Sequence, residues 1–219
     1  MKPGVFLLAI VLIINGCSGG SQKIASNNGF AVLPKAAPSE ALATFAGGCF
    51  WAMQESMIQL KGVHTAISGY SGGITVNPTY DEVAGQNTGH AESVQVYYDP
   101  AVISYEQLVR AFFVAHNPTE LNRQGPDTGP EYRSAAFYRT PQELKILNKV
   151  MLDMQQKKYY PEDFVTDFEP FKVFYPAESS HQDYYEKNTW DPYIRSISRP
   201  KVMHVRKEFP QLIKAEYLK

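Results

Sequence analysis

The sequence is poor in cysteine and has no excess of charge of either sign. Its 219 residues contain two cysteines, Cys17 and Cys49, which cannot form a disulfide framework. No group of cysteines and histidines has the spacing of a zinc site. Lysine and arginine number 21 against 22 acidic residues, so the formal net charge is −1. Because no basic excess exists to neutralise a phosphate backbone, nucleic acid is not an expected partner.

Long hydrophobic runs are also absent, apart from one near the start of the chain. Val5 to Ile14 is almost uninterruptedly apolar and follows the positive charge of Lys2, a pattern typical of an export signal. The run is well below the roughly 20 residues that a membrane-spanning helix needs. We therefore predict a cleaved signal peptide over residues 1–16, with a short signal anchor as the alternative.

The residues that follow the apolar run resemble the lipobox of bacterial lipoproteins. They read Ile14-Asn15-Gly16-Cys17, with an aliphatic residue three positions before the cysteine. The resemblance implies cleavage before Cys17 and attachment of several acyl chains to this residue, which together give stable membrane anchoring. We expect an exported protein anchored to a bacterial membrane on its periplasmic face. Ser18 favours the outer membrane where the source has one.

The rest of the chain has the composition of a globular protein, with 44% hydrophobic and 13% aromatic residues overall. Residues 17–43 contain the proposed lipid-attachment cysteine and a stretch rich in Ser, Gly, Asn, Ala and Pro, which predicts a flexible tether. We assign residues 44–200 to one folded domain and residues 201–219 to a C-terminal tail. The domain is large enough to bury a core of its own.

Strand and helix patterns are mixed along this domain without strict alternation. Apolar residues at helical spacing predict a helix from Phe50 to Lys61 with Gly62 as its C-cap. Capping-box patterns predict two further helices beginning after Ser104 and Thr140. The predicted strands are 63–67, 91–98, 133–138, 164–168 and 172–175, and long loops are predicted at 68–90 and 119–132. We expect an α+β two-layer sandwich with a mixed β-sheet and flanking helices.

Cys49 is placed at the start of the first predicted helix, directly after Gly47-Gly48. Unpaired backbone N–H groups and the helix dipole at such a position favour a thiolate, so we expect a lowered pKa for the Cys49 thiol. Phe50 and Trp51 beside it would form an apolar notch for a small hydrophobic group. The alternative is that all three side chains belong to the core.

Glu92 shares the apolar face of the alternating strand 91–98 with Val94, Val96 and Tyr98. Burial raises the pKa of a carboxyl group, so Glu92 would be protonated near neutral pH and able to act as an acid. A glutamate that reaches solvent or pairs with an arginine is the alternative.

Several motifs in sequence order look like those of the A-type peptide-methionine sulfoxide reductases. They are ATFAGGCFWAMQESMIQLKGV, GYSGG, NPTYDEV, TGHAESVQVYYDP, RQGPDTGPEYRSA and SSHQDYYEKN. The resemblance covers Thr44 to Asn188, which makes the folded domain the catalytic domain. It implies an α+β sandwich, reduction of methionine S-sulfoxide in free, peptide or protein form, and no metal or organic cofactor.

The resemblance also implies roles for individual residues. Cys49 corresponds to the nucleophilic cysteine of the family and Glu92 to its acid. Tyr80 and Tyr132 correspond to two tyrosines whose hydroxyls hydrogen-bond to the sulfoxide oxygen. Asp127 corresponds to an aspartate that orients the substrate.

Phe50 and Trp51 correspond to the aromatic residues that shape the pocket for the substrate methyl group. The reaction implied by the family leaves Cys49 as a sulfenic acid. Many family members resolve it with cysteines near the C-terminus, and residues 50–219 contain none. We therefore expect an external thiol or a thioredoxin-like protein as the reductant. Cys17 could resolve the sulfenic acid only if its sulfur is not lipidated.

Two alternatives of other classes remain open at this point. A Cys/His hydrolase would pair Cys49 with His90 or His181, but it leaves Glu92 on an apolar face unexplained. We expect His90 to anchor a loop rather than act as a base, and His181 resembles a structural position of the family. A tethered binding module would use the notch beside Cys49 to hold a peptide without turnover. In each case we expect a monomer.

Overall fold

The computed structural model describes residues 22–218, and the predicted signal peptide and Cys17 lie outside this range. Six α-helices are present in it: α1 (Phe50–Ile58), α2 (Tyr80–Ala84), α3 (Tyr105–Val114), α4 (Pro141–Gln156), α5 (Tyr184–Lys187) and α6 (Arg199–Glu208). The strands are β1 (Ser26–Asn27), β2 (Phe30–Ala31), β3 (Ala41–Gly47), β4 (Val63–Ser71), β5 (Ala91–Tyr98), β6 (Arg123–Gln124), β7 (Asp127–Thr128), β8 (Ser134–Tyr138), β9 (Asp167–Pro170) and β10 (Phe174–Pro176).

A six-stranded sheet forms the centre of the molecule, in the order β10-β4-β5-β3-β8-β9. All neighbouring strands run antiparallel except β8 and β9, which run parallel, so the sheet is mixed. Two small hairpins, β1-β2 and β6-β7, lie outside it. Helices α1, α3, α4 and α6 share one core with one face of the sheet. This arrangement confirms the predicted α+β fold with a mixed sheet and flanking helices.

The central strand β5 has the predicted bounds, and its side chains alternate between two cores. Val94, Val96 and Tyr98 belong to the core under the helices, on the face predicted from the alternation, whereas Tyr97 packs on the opposite face with Ala31. Glu92 lies on the helix side and is 3% exposed. Because both faces of β5 are covered, a polar residue on it is shielded from water.

The helix starts follow the capping signals of the sequence. The Ser104 hydroxyl accepts from the Gln107 amide at the start of α3, and the Gln107 side chain accepts in return from the Ser104 amide. At α4 the Thr140 hydroxyl accepts from the Glu143 amide, while the Glu143 carboxylate accepts from the Arg139 amide instead. The second box is therefore only half formed.

At both ends of the predicted domain, the structure packs residues on the fold that the sequence assigns to a tether or a tail. Residues 22–43, expected as part of a tether, pack on the sheet: Ala31 is buried with Ile67 and Phe174, and Ala41 already begins β3. Spaced single apolar residues, rather than a periodic run, make these contacts, which is why no pattern marked them. Within the predicted tail, Val202 and Val205 of α6 are buried against the core, and Ile213 pairs with Leu60.

Several predicted bounds also shift. Helix α1 ends at Ile58, short of the predicted end, and β4 continues to Ser71. The predicted loop 68–90 contains α2, and β9 begins three residues and ends two residues later than predicted. Among residues 22–218, no helix is long and apolar enough to cross a membrane.

Candidate active site

A cavity of about 340 Å³ opens where the end of β3, the start of α1 and the loops beside β5 meet. All seven residues selected from the sequence for catalysis or substrate binding line it, together with two that the sequence analysis missed. The lining residues are Cys49, Phe50, Trp51, Tyr80, Glu92, Asp127, Tyr132, Asp191 and Tyr193.

Cys49 is the N-cap residue of α1 and is 6% exposed. Gly48 before it has φ +76°, in the left-handed region that favours glycine, and a Cβ at this position would overlap the Gln124 side chain. The Gln124 amide group is in turn held by Asn117, whose backbone N–H and carbonyl both bond to it. The turn before Cys49 is therefore fixed from outside, and the thiol faces the cavity.

The surroundings of Cys49 raise the pKa of its thiol, whereas its position at a helix N-terminus predicts a lowered pKa. Burial raises the pKa of the Cys49 thiol, and the nearby Glu92 carboxyl adds to this effect when it is ionised. The backbone amide of Trp51 in the first turn acts in the opposite direction but is the smaller effect. The expectation of a lowered pKa is wrong for the protein without substrate, because the desolvation of a buried thiolate outweighs the helix terminus.

Glu92 lies at the start of β5, directly across from the first turn of α1. Its Oε2 accepts a hydrogen bond from the Phe50 amide at 3.0 Å. Burial raises the pKa of Glu92 to about 8, and the charges of Asp127 and Glu131 act in the same direction. The Phe50 hydrogen bond lowers the pKa and only partly offsets the burial. Glu92 is therefore mainly protonated at neutral pH, as the sequence predicts.

Tyr80 and Tyr132 enter the cavity from two different loops. Tyr80 is the first residue of α2, after the N-cap Thr79, and Tyr132 ends a short 3₁₀ turn that begins at Pro130. Burial raises the pKa of Tyr80 to about 12 and also raises the pKa of Tyr132. Both phenols thus remain hydrogen-bond donors at physiological pH.

Stacked rings form one wall of the cavity. The Trp51 ring lies 3.8 Å from the Tyr184 ring, centroid to centroid, and nearly parallel to it. The Phe50 ring, 1% exposed, packs between Trp51 and Tyr70. Because aromatic neighbours on several sides restrict both rings, the notch beside Cys49 is rigid as well as apolar.

Asp127 is held by Tyr193, one of the two residues that the sequence analysis missed. The Tyr193 hydroxyl donates a short hydrogen bond to Asp127 Oδ2, and it also lies beside the Cys49 thiol. Asp191 fixes the start of this segment: its Oδ1 accepts from the Tyr193 amide at 2.8 Å, and its Oδ2 accepts from the Tyr184 hydroxyl at 3.1 Å. The sequence contains 14 tyrosines, and no periodic pattern distinguishes Tyr193 from the others.

The two histidines considered for a hydrolase do not line the cavity. His90 Nδ1 accepts from the Gly73 amide at 3.1 Å, so Nε2 is the donor to the Thr75 carbonyl at 2.8 Å. This confirms His90 as a loop anchor. The His181 ring stacks on Tyr80 with a centroid distance of 4.4 Å. Neither ring forms the hydrogen bond to Cys49 that a Cys/His pair requires.

Residues 22–218 contain no group of three or more histidine, cysteine, aspartate or glutamate side chains that could hold a metal ion. The cavity lining presents a thiol, a protonated carboxyl, two further carboxyl groups, phenols and aromatic surfaces.

Comparison with protein families gives one match that spans most of the chain. The family model described as peptide methionine sulfoxide reductase matches residues 41–213. The enzyme of that name from Natronomonas pharaonis is 44% identical over 173 residues, which is 79% of this chain and 97% of the relative. One from Mesorhizobium japonicum is 45% identical over 179 residues, covering 81% and 92% respectively.

Solved structures agree with the sequence comparison. Mxr1 from Saccharomyces cerevisiae in its reduced form is similar with a TM-score of 0.67 and 36% identity, covering 72% of this chain and 91% of that one. Methionine sulfoxide reductase A of Corynebacterium diphtheriae has a TM-score of 0.63 and 31% identity, covering 71% and 78%.

Proposed function

The chain belongs to the peptide methionine sulfoxide reductase family, and we propose that it reduces methionine S-sulfoxide by attack of Cys49, with Glu92 as the acid. One observation carries the assignment of roles. A thiol and a carboxyl that is protonated at neutral pH line the same cavity, joined by the first turn of α1, which holds both Cys49 and the Phe50 amide. A sulfoxide needs a nucleophile at sulfur and a proton at oxygen, and this pair supplies both.

In the chemical step, the Cys49 thiolate forms a bond to the sulfoxide sulfur while the proton of Glu92 moves to the sulfoxide oxygen. The resulting hydroxyl group then moves from the substrate sulfur to the Cys49 sulfur. The substrate S–O bond and the new S–S bond both break, the substrate sulfur leaves with an electron pair as methionine, Cys49 is left as a sulfenic acid and Glu92 as a carboxylate. Cys49 is oxidised by two electrons and the sulfoxide is reduced by two. A bound sulfoxide places the positive end of its S–O dipole at the thiol, which opposes the effect of burial and favours the thiolate.

Tyr80 and Tyr132 donate hydrogen bonds to the sulfoxide oxygen in this proposal. Their phenols keep their protons, since burial raises the pKa of each. A donor that is already oriented stabilises the charge that develops on the oxygen without rearrangement of the site. The two phenols supplement Glu92 as hydrogen-bond donors but do not replace it as the acid, because a phenol is a weaker acid than a carboxyl group.

Phe50 and Trp51 receive the methyl group of the substrate, and Asp127 orients the rest of it. The rigid stacked rings fit a small apolar group beside Cys49. Tyr193 adds a role from the structure: by donating to Asp127 next to the thiol, it fixes the aspartate that the substrate meets. We assign the S epimer and free, peptide and protein-bound methionine sulfoxide as substrates on the family resemblance.

The sulfenic acid is reduced by an external thiol or a thioredoxin-like partner. Two reducing thiols convert the Cys49 sulfenic acid back to the thiol, with release of water and formation of one disulfide. Cys17 is the other cysteine in the sequence and lies outside the described residues. If Cys17 carries lipid on its sulfur, it is blocked for this step.

The N-terminal sequence supports a location for this chemistry. The lipobox-like residues before Cys17 support a lipid-anchored protein at the periplasmic face of a bacterial membrane. Repair of oxidised methionine in exported proteins is the role that such a location implies. The residues given roles above all line one cavity of this chain, so the proposed reaction needs no residue from a second copy.

A single-turnover measurement tests the proposed function. The variant C17S, with Cys49 as its one remaining thiol, is mixed with the separate S and R epimers of a methionine sulfoxide peptide without reductant. We expect one equivalent of methionine from the S epimer alone and an added oxygen on Cys49 by mass spectrometry. The double variant C17S/C49S should form none. An acyl adduct on Cys49, or binding without any change of mass, would favour a hydrolase or a binding module instead.

A further inference from the structure

Glu178 lies between two tyrosines and bonds to both. Its Oε1 accepts from the backbone N–H of Tyr80 at 2.8 Å, and its Oε2 accepts from the Tyr70 hydroxyl at 3.0 Å. Tyr70 is fully buried, so its hydroxyl is a fixed donor. Glu178 does not line the cavity, yet one of its oxygens reaches the backbone of a residue that does.

The Tyr80 amide needs this acceptor because of its place in α2. The first N–H groups of a helix have no partner within the helix. The capping box of α2 satisfies the amides of Glu82 and Thr79 but not that of Tyr80. A carboxylate at a helix N-terminus is also favoured by the helix dipole. Since α2 has five residues and a helix of that length is marginal alone, the Glu178 contact acts together with the capping box to fix its first turn.

The ring of Tyr80 is held from the same segment. His181, three residues after Glu178, stacks on the Tyr80 ring with a centroid distance of 4.4 Å and an angle of 26° between the planes. The His181 ring also contacts Phe50 and Trp51 on the cavity wall. Residues 178–181 therefore fix Tyr80 twice, by its backbone and by its ring face.

The segment that carries Glu178 is itself braced by the N-terminal hairpin. Phe30 pairs with Glu178, the Ala31 amide donates to the Ala177 carbonyl at 3.0 Å, and the Ser179 amide donates to the Gly29 carbonyl at 2.7 Å. This hairpin precedes the region 41–213 that the family model matches. Residues outside the matched region thus hold in place the backbone that carries the Glu178 carboxylate.

We propose that Glu178 is a positioning residue for the reductase reaction, which sets the Tyr80 phenol against the sulfoxide oxygen by fixing the first turn of α2. The inference rests on the role given to Tyr80 under the proposed function. Glu178 does not touch the substrate, so its effect should pass through Tyr80. It should change the rate of the chemical step more than the binding of substrate.

A double-mutant cycle tests this dependence. The full chain and its variants E178A, E178D, Y80F and E178A/Y80F are compared by the rate of methionine formation in the first turnover. We expect E178A to slow this rate roughly tenfold at saturating substrate with a small change in KM, since misplacement of a reacting group has effects of this order or larger. In the Y80F background, E178A should have little further effect, because the group it positions is already absent.

Two further variants separate positioning from general damage. E178Q keeps an oxygen that accepts from the Tyr80 amide, so it should restore most of the rate. D81A removes an exposed carboxylate from the first turn of the same helix and leaves both the capping box and the Tyr80 amide bonded, so it should leave the rate nearly unchanged. If D81A slows the reaction as much as E178A does, or if E178A slows Y80F and the unmodified chain equally, the proposal is wrong. If E178A does not fold, E178D, whose side chain is one methylene shorter, replaces E178A in the same double-mutant cycle.

Amide hydrogen exchange gives a measurement that does not depend on activity. Protection of the Tyr80 amide should fall in E178A and remain in E178Q and D81A. Unchanged protection in E178A would overturn the positioning role whatever the rates show. By contrast, an unmodified chain that protects the Tyr80 amide but forms no methionine would count against the proposed function.

Discussion

At the residue scale, burial determines the protonation states on which the reaction depends. Glu92 lies at the edge of the core, and burial raises its pKa to about 8, whereas an exposed glutamate would be ionised at neutral pH. The same burial raises the pKa of the Cys49 thiol. The cavity thus favours a proton donor and makes a thiolate costly until substrate arrives, which protects the thiol from indiscriminate oxidation.

The acid role of Glu92 predicts a pH-dependent effect of the substitution E92Q. Because the folded-state pKa is raised to about 8, the carboxyl is protonated below that pH and loses its proton as the pH rises through it. We expect E92Q to reduce the second-order rate constant of the first turnover by roughly 100-fold or more below pH 7. The ratio of the unmodified chain to E92Q should fall as the pH rises through about 8.

While Glu92 is protonated, this ratio cancels the rise of the rate with Cys49 ionisation, which occurs in both proteins. Once Glu92 ionises, its charge raises the pKa of the Cys49 thiol in the unmodified chain alone, which lowers the ratio further. The substitution E82Q is the control, since Glu82 is exposed and away from the cavity. Its ratio to the unmodified chain should stay near one at every pH. A ratio for E92Q that is constant across this range would show that Glu92 is not the acid.

Tyr193 supplies a second prediction at this scale. The substitution Y193F removes the hydrogen bond to Asp127 and leaves a carboxylate beside Cys49 without its donor. We expect a weaker interaction with substrate, seen as a rise of roughly tenfold in KM for a methionine sulfoxide peptide. Y159F is the matched control because the Tyr159 hydroxyl bonds to His204, far from the cavity lining. Equal KM values for the two variants would contradict the role given to Tyr193.

At the element scale, the sequence patterns succeed where an element is regular and fail where tertiary contacts define it. The alternation in 91–98 predicts β5 with its bounds, and the capping box at Ser104 predicts the start of α3. Strand β3 has no alternation because both of its faces are buried, so its small residues look like part of a linker. Helix α2 is too short for a periodic pattern.

The residues of the site divide in the same way: those in local motifs are predictable from the sequence, and those that act through tertiary contacts are not. Cys49, Glu92 and the motif tyrosines are identifiable because they lie in motifs that resemble a family, and the cavity brings all of them together. Glu92 could also be selected from physics alone, as a charged residue on an apolar face. Tyr193 and Glu178 act through hydrogen bonds to residues distant in sequence, 66 and 98 positions away. No local sequence pattern predicts hydrogen bonds between residues so far apart in the chain.

Gly48 provides the test at the scale of an element, the turn between β3 and α1. The substitution G48A places a Cβ on a residue with φ +76° and against the Gln124 side chain. We expect a loss of about 1–3 kcal/mol in the free energy of unfolding, measured in urea, with a slower first turnover because Cys49 moves. G125A is the control: Gly125 has φ +62° but nothing within 4 Å of its Cβ position. It should lose less stability and keep its rate; a loss as large as that of G48A would show that contact with Gln124 is unimportant.

At the scale of the whole molecule, the catalytic unit and its proposed anchor are formed by separate parts of the chain. The cavity is built from residues between Cys49 and Tyr193, while the proposed anchor depends on Cys17. Residues 22–43 pack on the sheet, so the segment available to space the domain from a membrane is shorter than the sequence predicts. The domain would therefore sit close to the surface that carries it.

This separation predicts that C17S abolishes lipid attachment without changing catalysis. Expressed in a bacterium with two membranes, the full chain should fractionate with membranes and carry the added mass of several acyl chains, whose burial contributes about 0.8 kcal/mol per methylene. Because Cys17 is part of the predicted cleavage site, C17S should lack this added mass and keep residues 1–16. An unmodified chain that keeps residues 1–16 and lacks the added mass would identify a signal anchor instead. With an excess of a small thiol, C17S should keep the multiple-turnover rate of the unmodified chain, because the reductant reaches Cys49 directly. If C17S completes one turnover and then stops under these conditions, Cys17 is the resolving cysteine, and its sulfur cannot carry lipid in the active protein.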